Sequence, residues 1–239
     1  MILNYNDVDL YQGEHLVLRH VNFCVEEGEL VYLTGPVGSG KSSLLKSIYG
    51  EVPIGSGKAE VLGFDMKRLK TKHQPMLRRQ MGIVFQDFQL MPDRTVRRNL
   101  DFVLRSTEWK KKTNREHRID EVLAMVKLSD KKDKMIYELS GGEQQRICIA
   151  RAILNNPKVI LADEPTGNLD VENGELILAL LDEIRRQQHT AVILSTHNLQ
   201  WPAYFPGTVY SCGDGCLVTN REKGKSEDII VTENQEPTE

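Results

Sequence analysis

Eight residues constrain this chain more than any others: GPVGSGKS, at positions 35–42. They fit the pattern GxxxxGK[ST]. The run Glu29-Leu30-Val31-Tyr32-Leu33 before them reads as a buried strand, and KSSLLKSIYG from Lys41 reads as a helix. Gly35, Gly38 and Gly40 free the backbone of the loop, which also holds Pro36, Val37 and Ser39, to turn so that the amide hydrogens of its non-proline residues surround an anion. The helix start adds partial positive charge at the same point. Lys41 is placed to reach the β- and γ-phosphates of a nucleotide. Ser42, followed by Ser43, is placed to offer a hydroxyl to Mg²⁺. A second GSGK, at 55–58, lacks the first glycine and a following helix, and reads as a turn before a strand.

The rest of the chain supplies a sheet around that loop. Alternating apolar residues in ILNYNDVDLY and LRHVNFCVEE predict two early antiparallel strands. KAEVL (58–62) and GIVF (82–85) read as short strands. VILAD (159–163) and AVILST (191–196) are continuous apolar runs, the pattern of parallel strands buried on both faces. ENGELILALLDEIRRQ between them predicts an amphipathic crossover helix. From about 90 to 155 the spacing turns helical, as in TVRRNLDFVLRS and IDEVLAMVKL. The fold class that follows is α/β: a parallel-sheet core, an antiparallel β subdomain, and an inserted α-helical subdomain at about 90–155.

LSGGEQQR (139–146) predicts a second anion-facing helix start. Ser140 and Glu143 fit a capping box, and Gly141 and Gly142 leave the backbone bare. VILADEP delivers Asp163 and Glu164 at a strand end, where α/β sheets place ligands. Asp163 suits Mg²⁺, and Glu164 suits a general base acting on a water that attacks the γ-phosphate. His197, just past the next strand end, is placed for a γ-phosphate contact.

Composition removes other classes. The formal charge of -3 argues against a nucleic-acid coat, so no nucleic-acid partner is expected. No run of 18 apolar residues exists, and Asp7 and Asp9 stand where a signal peptide needs an apolar stretch. The four cysteines are therefore expected as reduced thiols. CGDGC (212–216) has no second Cys/His pair to complete a zinc site and reads as a hairpin turning at Gly213-Asp214-Gly215. Residues 221–239 carry six acids against three bases and lack an apolar pattern, and are expected to be a disordered acidic tail.

These residues together resemble the ATP-binding-cassette (ABC) ATPase family, P-loop NTPases with a RecA-like core. The resemblance spans about residues 1–220. By it, GPVGSGKS corresponds to Walker A, VILADE to Walker B and LSGGE to the family signature. Gln86 matches the Q-loop, adding a Mg²⁺ contact and a catalytic role. Asn168, Leu169 and Asp170 match the D-loop and His197 the H-loop, and Tyr11 sits where an aromatic stacks on adenine. The resemblance implies ATP and Mg²⁺ as ligands. It also implies a head-to-tail homodimer on ATP binding, in which Ser140–Glu143 of one copy close over ATP held by the other. A separate integral membrane permease-like partner follows, with the ATPase peripheral on the cytoplasmic face of the cell membrane.

TGNLD (166–170) and LRRQMGIVFQDFQLMPDRTVRRNL (77–100) are most similar to the cell-division branch of the family, the FtsE type. Its membrane partner is FtsX, and the pair controls cell-wall hydrolases rather than moving a solute. Engines of lipoprotein-release or macrolide-type exporters are the alternative within the family. A nucleotide-gated scaffold with little hydrolysis is the alternative from another class. Asn198 follows His197 where the family commonly has Asp. Residues 67–118 hold 15 Lys/Arg against five Asp/Glu. Within this block Phe88, Leu90 and Met91 are expected to meet a helix of the membrane partner. Arg94, Arg97 and Arg98 are expected to meet its acidic groups or anionic headgroups.

Overall fold

The computed structural model describes residues 1–219. The expected acidic tail lies outside the described residues. The first hairpin, β1 (Leu3–Gln12) and β2 (His15–Val25), is antiparallel and turns through Gly13 and Glu14. It forms a four-stranded sheet, in the order β2-β1-β4-β5, with β4 (Lys58–Val61) and β5 (Phe64–Asp65). One face of this sheet is apolar: Leu3, Tyr5, Val8 and Leu10 of β1 are buried while Asn4 and Asn6 are exposed.

The second sheet has six strands, in the order β10-β9-β3-β8-β7-β6. Its parallel part is β3 (Leu30–Thr34), β6 (Met81–Val84), β7 (Val159–Ala162), β8 (Ala191–Ser195) and β9 (Thr208–Gly213). β10 (Cys216–Thr219) closes the edge antiparallel to β9. Gly213 pairs with Cys216, so the hairpin turns on Asp214 and Gly215 alone, both at positive φ. That is one residue tighter than the sequence suggests, and two such residues match the twist of the flanking strands.

The continuous apolar strands are explained by two cores, one on each face. Val31, Leu33, Leu161 and Ile193 face the core shared with the antiparallel sheet and with α1 (Lys41–Ile48). Tyr32, Ile160, Val192 and Leu194 face the other, which is roofed by helices. These are α3 (Val96–Ser106), α4 (Lys112–Met125), α5 (Gly141–Ala152) and α6 (Val171–Gln188). Short α2 (Gln74–Arg78) and α7 (Trp201–Tyr204) complete the helices. Because β3, β6, β7 and β8 run parallel and in register, their C-terminal ends share one edge of the sheet. The phosphate loop, Gln86, the acidic pair and His197 all leave from that edge.

Candidate functional site

The phosphate loop is held by close packing beneath it. Gly35, Gly38 and Gly40 have φ of 133°, 80° and 99°. A Cβ on Gly35 would lie 2.1 Å from the Cys212 carbonyl oxygen of β9. The Lys41 side chain is buried, and its ammonium donates to the carbonyls of Gly35 and Pro36, each at 2.8 Å. The Ser39 hydroxyl is buried in the same loop with no hydrogen-bond partner among the described residues. A groove of about 550 Å³ opens over the loop, lined by Tyr11, Val17, Gly38, Lys41, Ser42 and Ser43 among others. Tyr11 reaches it from β1, its ring lying over Gly55, where a Cβ would come within 2.6 Å. A cradle of amides, one ammonium and an orphaned hydroxyl fits a polyphosphate.

The acidic pair sits across from the loop. Ser42 Oγ donates to Asp163 Oδ1 at 3.1 Å, and Ser195 Oγ donates to the same oxygen at 2.6 Å. A carboxylate and hydroxyl oxygens form a hard donor set, which fits Mg²⁺. Glu164 adopts φ 47°, a left-handed conformation that a non-glycine residue holds only under external constraint. Its N–H donates to Ser195 Oγ at 2.8 Å. Its carboxylate Oε2 lies 2.8 Å from His197 Nδ1. An ionised carboxylate only accepts, so Nδ1 carries the hydrogen and Nε2 is directed away from Glu164. Glu164 is nearly buried and His197 is largely exposed, so the pair runs from the sheet edge to solvent.

Ser140 starts α5 as expected. Glu143 N–H donates to Ser140 Oγ, and Ser140 N–H donates to Glu143 Oε2 at 2.8 Å. None of Ser140, Gly141, Gly142 or Glu143 lines the groove over this chain's own phosphate loop. The family model described as "ABC transporter" matches residues 18–167. The chain belongs to the ABC transporter family. It is an ATPase of the ABC type. The cassette is 43% identical over 218 residues to the cell division ATP-binding protein FtsE of Streptococcus pneumoniae serotype 2, covering 91% of this chain and 94% of that one. It is 44% identical over 189 residues to the protein of the same name from Escherichia coli K12, covering 79% and 84%. Among solved structures it resembles the dimeric ABC transporter cassette MJ0796, with a TM-score of 0.79 and 33% identity, covering 90% and 96%. A post-hydrolysis structure of MJ0796 bound to ADP and Pi matches with a TM-score of 0.80 and 32% identity, covering 92% and 99%.

The cassette contains site residues that sequence reasoning did not single out. Ser195 binds both members of the acidic pair; the only signal was a hydroxyl ending an apolar strand. Asn168 Nδ2 donates to the Gln86 carbonyl at 3.0 Å, tying the segment before α6 to the one after β6. The Gln86 side chain is exposed and makes no hydrogen bond to Asp163, so its place beside a metal is not built by direct contact. Phe88 and Gln89, both at positive φ, are gripped through their carbonyls by Arg151 of α5, with the Phe88 contact at 2.8 Å. The Cys148 thiol also donates to Phe88 O, and burial pushes that thiol up to about 12, so it stays protonated.

Other roles are sharpened or corrected. Asp170 caps α6 by accepting from Asn173 N–H at 2.8 Å, and Leu169 packs on the helical core. A Cβ at Gly142 would press on the end of the Asn173 side chain, 3.0 Å from its Oδ1, whereas Gly141 has room. Phe88 and Leu90 pack on the cassette's own helical core, and Arg97 is bonded to Glu116 at 2.7 Å. All three are thus partly engaged within the chain, by packing for Phe88 and Leu90 and by charge pairing for Arg97.

The capping box makes a measurable prediction. Ser140→Ala should lower stability by about 1 kcal/mol, a fall of about 2–4 °C in Tm for a chain of this size. The Glu143 carboxyl is held below its usual range, first by the hydrogen bond from the Ser140 backbone N–H and also by Lys131, against the effect of burial. Its contribution is thus full above the ordinary carboxylate pKa and is lost as pH falls through the depressed value. Ser140→Ala keeps that backbone N–H, so both proteins should lose the Glu143 contribution alike as pH falls. The Tm difference between them in thermal melts, which comes from the hydroxyl cap, should persist in acid.

Proposed function

We propose that the cassette binds ATP with Mg²⁺ and closes on ATP as a head-to-tail homodimer. We propose further that hydrolysis drives a separate membrane protein of the FtsX type, controlling cell-wall hydrolases in cell division. The observation that carries this reading is the separation of two anion-facing devices in one chain. The phosphate loop has its groove, and the capped Ser140–Glu143 start lies outside it, as a donor to a second copy's site would. The dimeric cassette MJ0796 and the relatives named for cell division support the assembly and the setting. No helix among the described residues is long and apolar enough to cross a membrane, so the membrane element in this reading is a different chain, and the cassette is peripheral on the cytoplasmic face. The cassette proper is residues 1–220, with 221–239 an acidic appendage.

In this reading Lys41 and the loop amides hold the β- and γ-phosphates, with Tyr11 stacked on the adenine. Ser42 and Asp163 hold Mg²⁺, with Gln86 approaching from the β6 end; the ion neutralises phosphate charge. Glu164 takes the proton of the attacking water, and His197 fixes Glu164 while its Nε2 edge meets the γ-phosphate. Purification of the tagged cassette from its native membrane should recover a four-span protein in stoichiometric amount. Recovery of a large exporter subunit instead would replace the cell-division reading with the export one.

A further inference from the structure

On the helical side of the molecule a groove of about 280 Å³ lies between the end of α4, α5 and the middle of α6. Val126, Leu176 and Leu180 give it an apolar wall, and Leu176 is 53% exposed. Lys127 and Arg146 also line it, and neither forms an ion pair among the described residues. Arg146 Nε is buried with no hydrogen-bond partner among the described residues. One acid, Glu183, lines the groove as well and accepts from Gln187 Nε2 at 3.0 Å. A short apolar run flanked by acids is the occupant that suits such walls.

The chain carries such a run beyond the described residues. Residues 226–239 hold five acids and no Lys/Arg. Ile229, Ile230 and Val231 are consecutive, with Glu227 and Asp228 before them and Glu233 after. Where the described chain ends sets the reach. Thr219, the last residue of β10, pairs with Tyr210 of β9. Two residues before Tyr210, Thr208 Oγ1 donates to Glu29 Oε1. Beside Glu29, the Gly28 carbonyl accepts from Arg185 of α6 at 2.7 Å. Arg185 is two residues past Glu183 of the groove. The route thus follows the sheet edge opposite the phosphate loop. It crosses two strand spacings of about 4.8 Å and the width of one helix, about 10–12 Å. Ile229 is ten residues past Thr219, a reach of about 33–36 Å when extended, so the run spans the route with length to spare.

We propose that residues 227–233 of the same chain dock in this groove. Ile229, Ile230 and Val231 lie on the apolar wall, and the flanking acids meet Lys127 and Arg146. The groove lies between α5, capped by Ser140, and α6, capped by Asp170, so the docked segment bridges these two helices. Neither ATP nor a membrane partner enters the proposal, so it stands or falls apart from the proposed function. The test is cross-linking within the full chain by a short bismaleimide, with linked residues mapped by peptide mass spectrometry. Thr232→Cys is combined either with Ala179→Cys, in the groove, or with Glu27→Cys. Glu27 adjoins Gly28 and so lies nearer the start of the segment. Docking raises the local concentration at one place only, so position 232 should link to 179 about fivefold faster than to 27, or more. Adding Ile229→Ser and Ile230→Ser should slow the link to 179 by on the order of tenfold. Glu227→Gln with Asp228→Asn should slow it by about threefold. Equal rates at 179 and 27 would overturn the proposal, as would an unchanged rate in the double Ile variant. Links found only between chains, as covalent dimers, would overturn it in favour of a second copy's segment.

Discussion

Replacing Glu164 by Gln is expected to slow phosphate release by roughly 10²–10⁴-fold, the usual contribution of a positioned general base, while leaving ATP binding intact. The substitution keeps the size of the side chain and one acceptor oxygen, so the contact with His197 Nδ1 at 2.8 Å survives. It removes only the capacity to take a proton. The left-handed turn at Glu164 is held from the backbone by the N–H donated to Ser195 Oγ, which the substitution does not touch. A protein that binds but does not turn over should accumulate as an ATP-dependent dimer, visible by light scattering after size exclusion. Equal phosphate release by the variant and the wild type would remove Glu164 from the base role. His197→Ala should lower turnover as well, but by freeing the Glu164 carboxylate rather than removing it. Its residual rate should therefore exceed that of the Gln variant.

How much of this was legible in the sequence depends on which physical signal each element carries. The parallel strands stood out because both faces are buried, so β3, β7 and β8 read as unbroken apolar runs. The phosphate loop, the capping box at Ser140 and the acidic pair were legible because each rests on contiguous residues. Other features depend on contacts distant in sequence and leave no local pattern. Ser195 joins Asp163 and Glu164 only because β7 and β8 are neighbours. Arg151 reaches Phe88 across 63 residues, and nothing about either residue alone announces the grip. α2 and β5 are too short for a period to show. The basic block was only partly legible, for a related reason. Counting charges in 67–118 could not show that Arg97, Arg105 and Arg115 are paired inside the chain, while Arg94 and Arg98 form no ion pair among the described residues.

Gly35→Ala should be far more damaging than Gly38→Ala, although both glycines stand in the same loop at positive φ. At Gly38 an added Cβ meets nothing within 4 Å. Its cost is that of the left-handed backbone alone, about 1–2 kcal/mol. At Gly35 the same methyl would sit 2.1 Å from the carbonyl oxygen of Cys212 and 3.1 Å from its carbonyl carbon. Neither is the end of a flexible side chain. Cys212 lies in β9, which is hydrogen-bonded to β3 along Val31–Thr34, so the carbonyl retreats only if the ladder beside the loop shifts with it. Overpacking against fixed backbone, added to the strained φ of 133°, is expected to cost roughly 3–5 kcal/mol. That is about 10 °C in Tm for a chain of this length. The functional loss should be larger than the loss of stability. The Gly35 carbonyl is one of the two that hold the Lys41 ammonium, so displacing it turns the lysine away from the groove. Gly35→Ala should therefore lose nucleotide affinity even at temperatures where it stays folded, measured by titration with a fluorescent ATP analogue, whereas Gly38→Ala should retain most of it. Equal affinities in the two variants would mean that the loop tolerates a shift of β9 and that the contact with Cys212 does not set its shape.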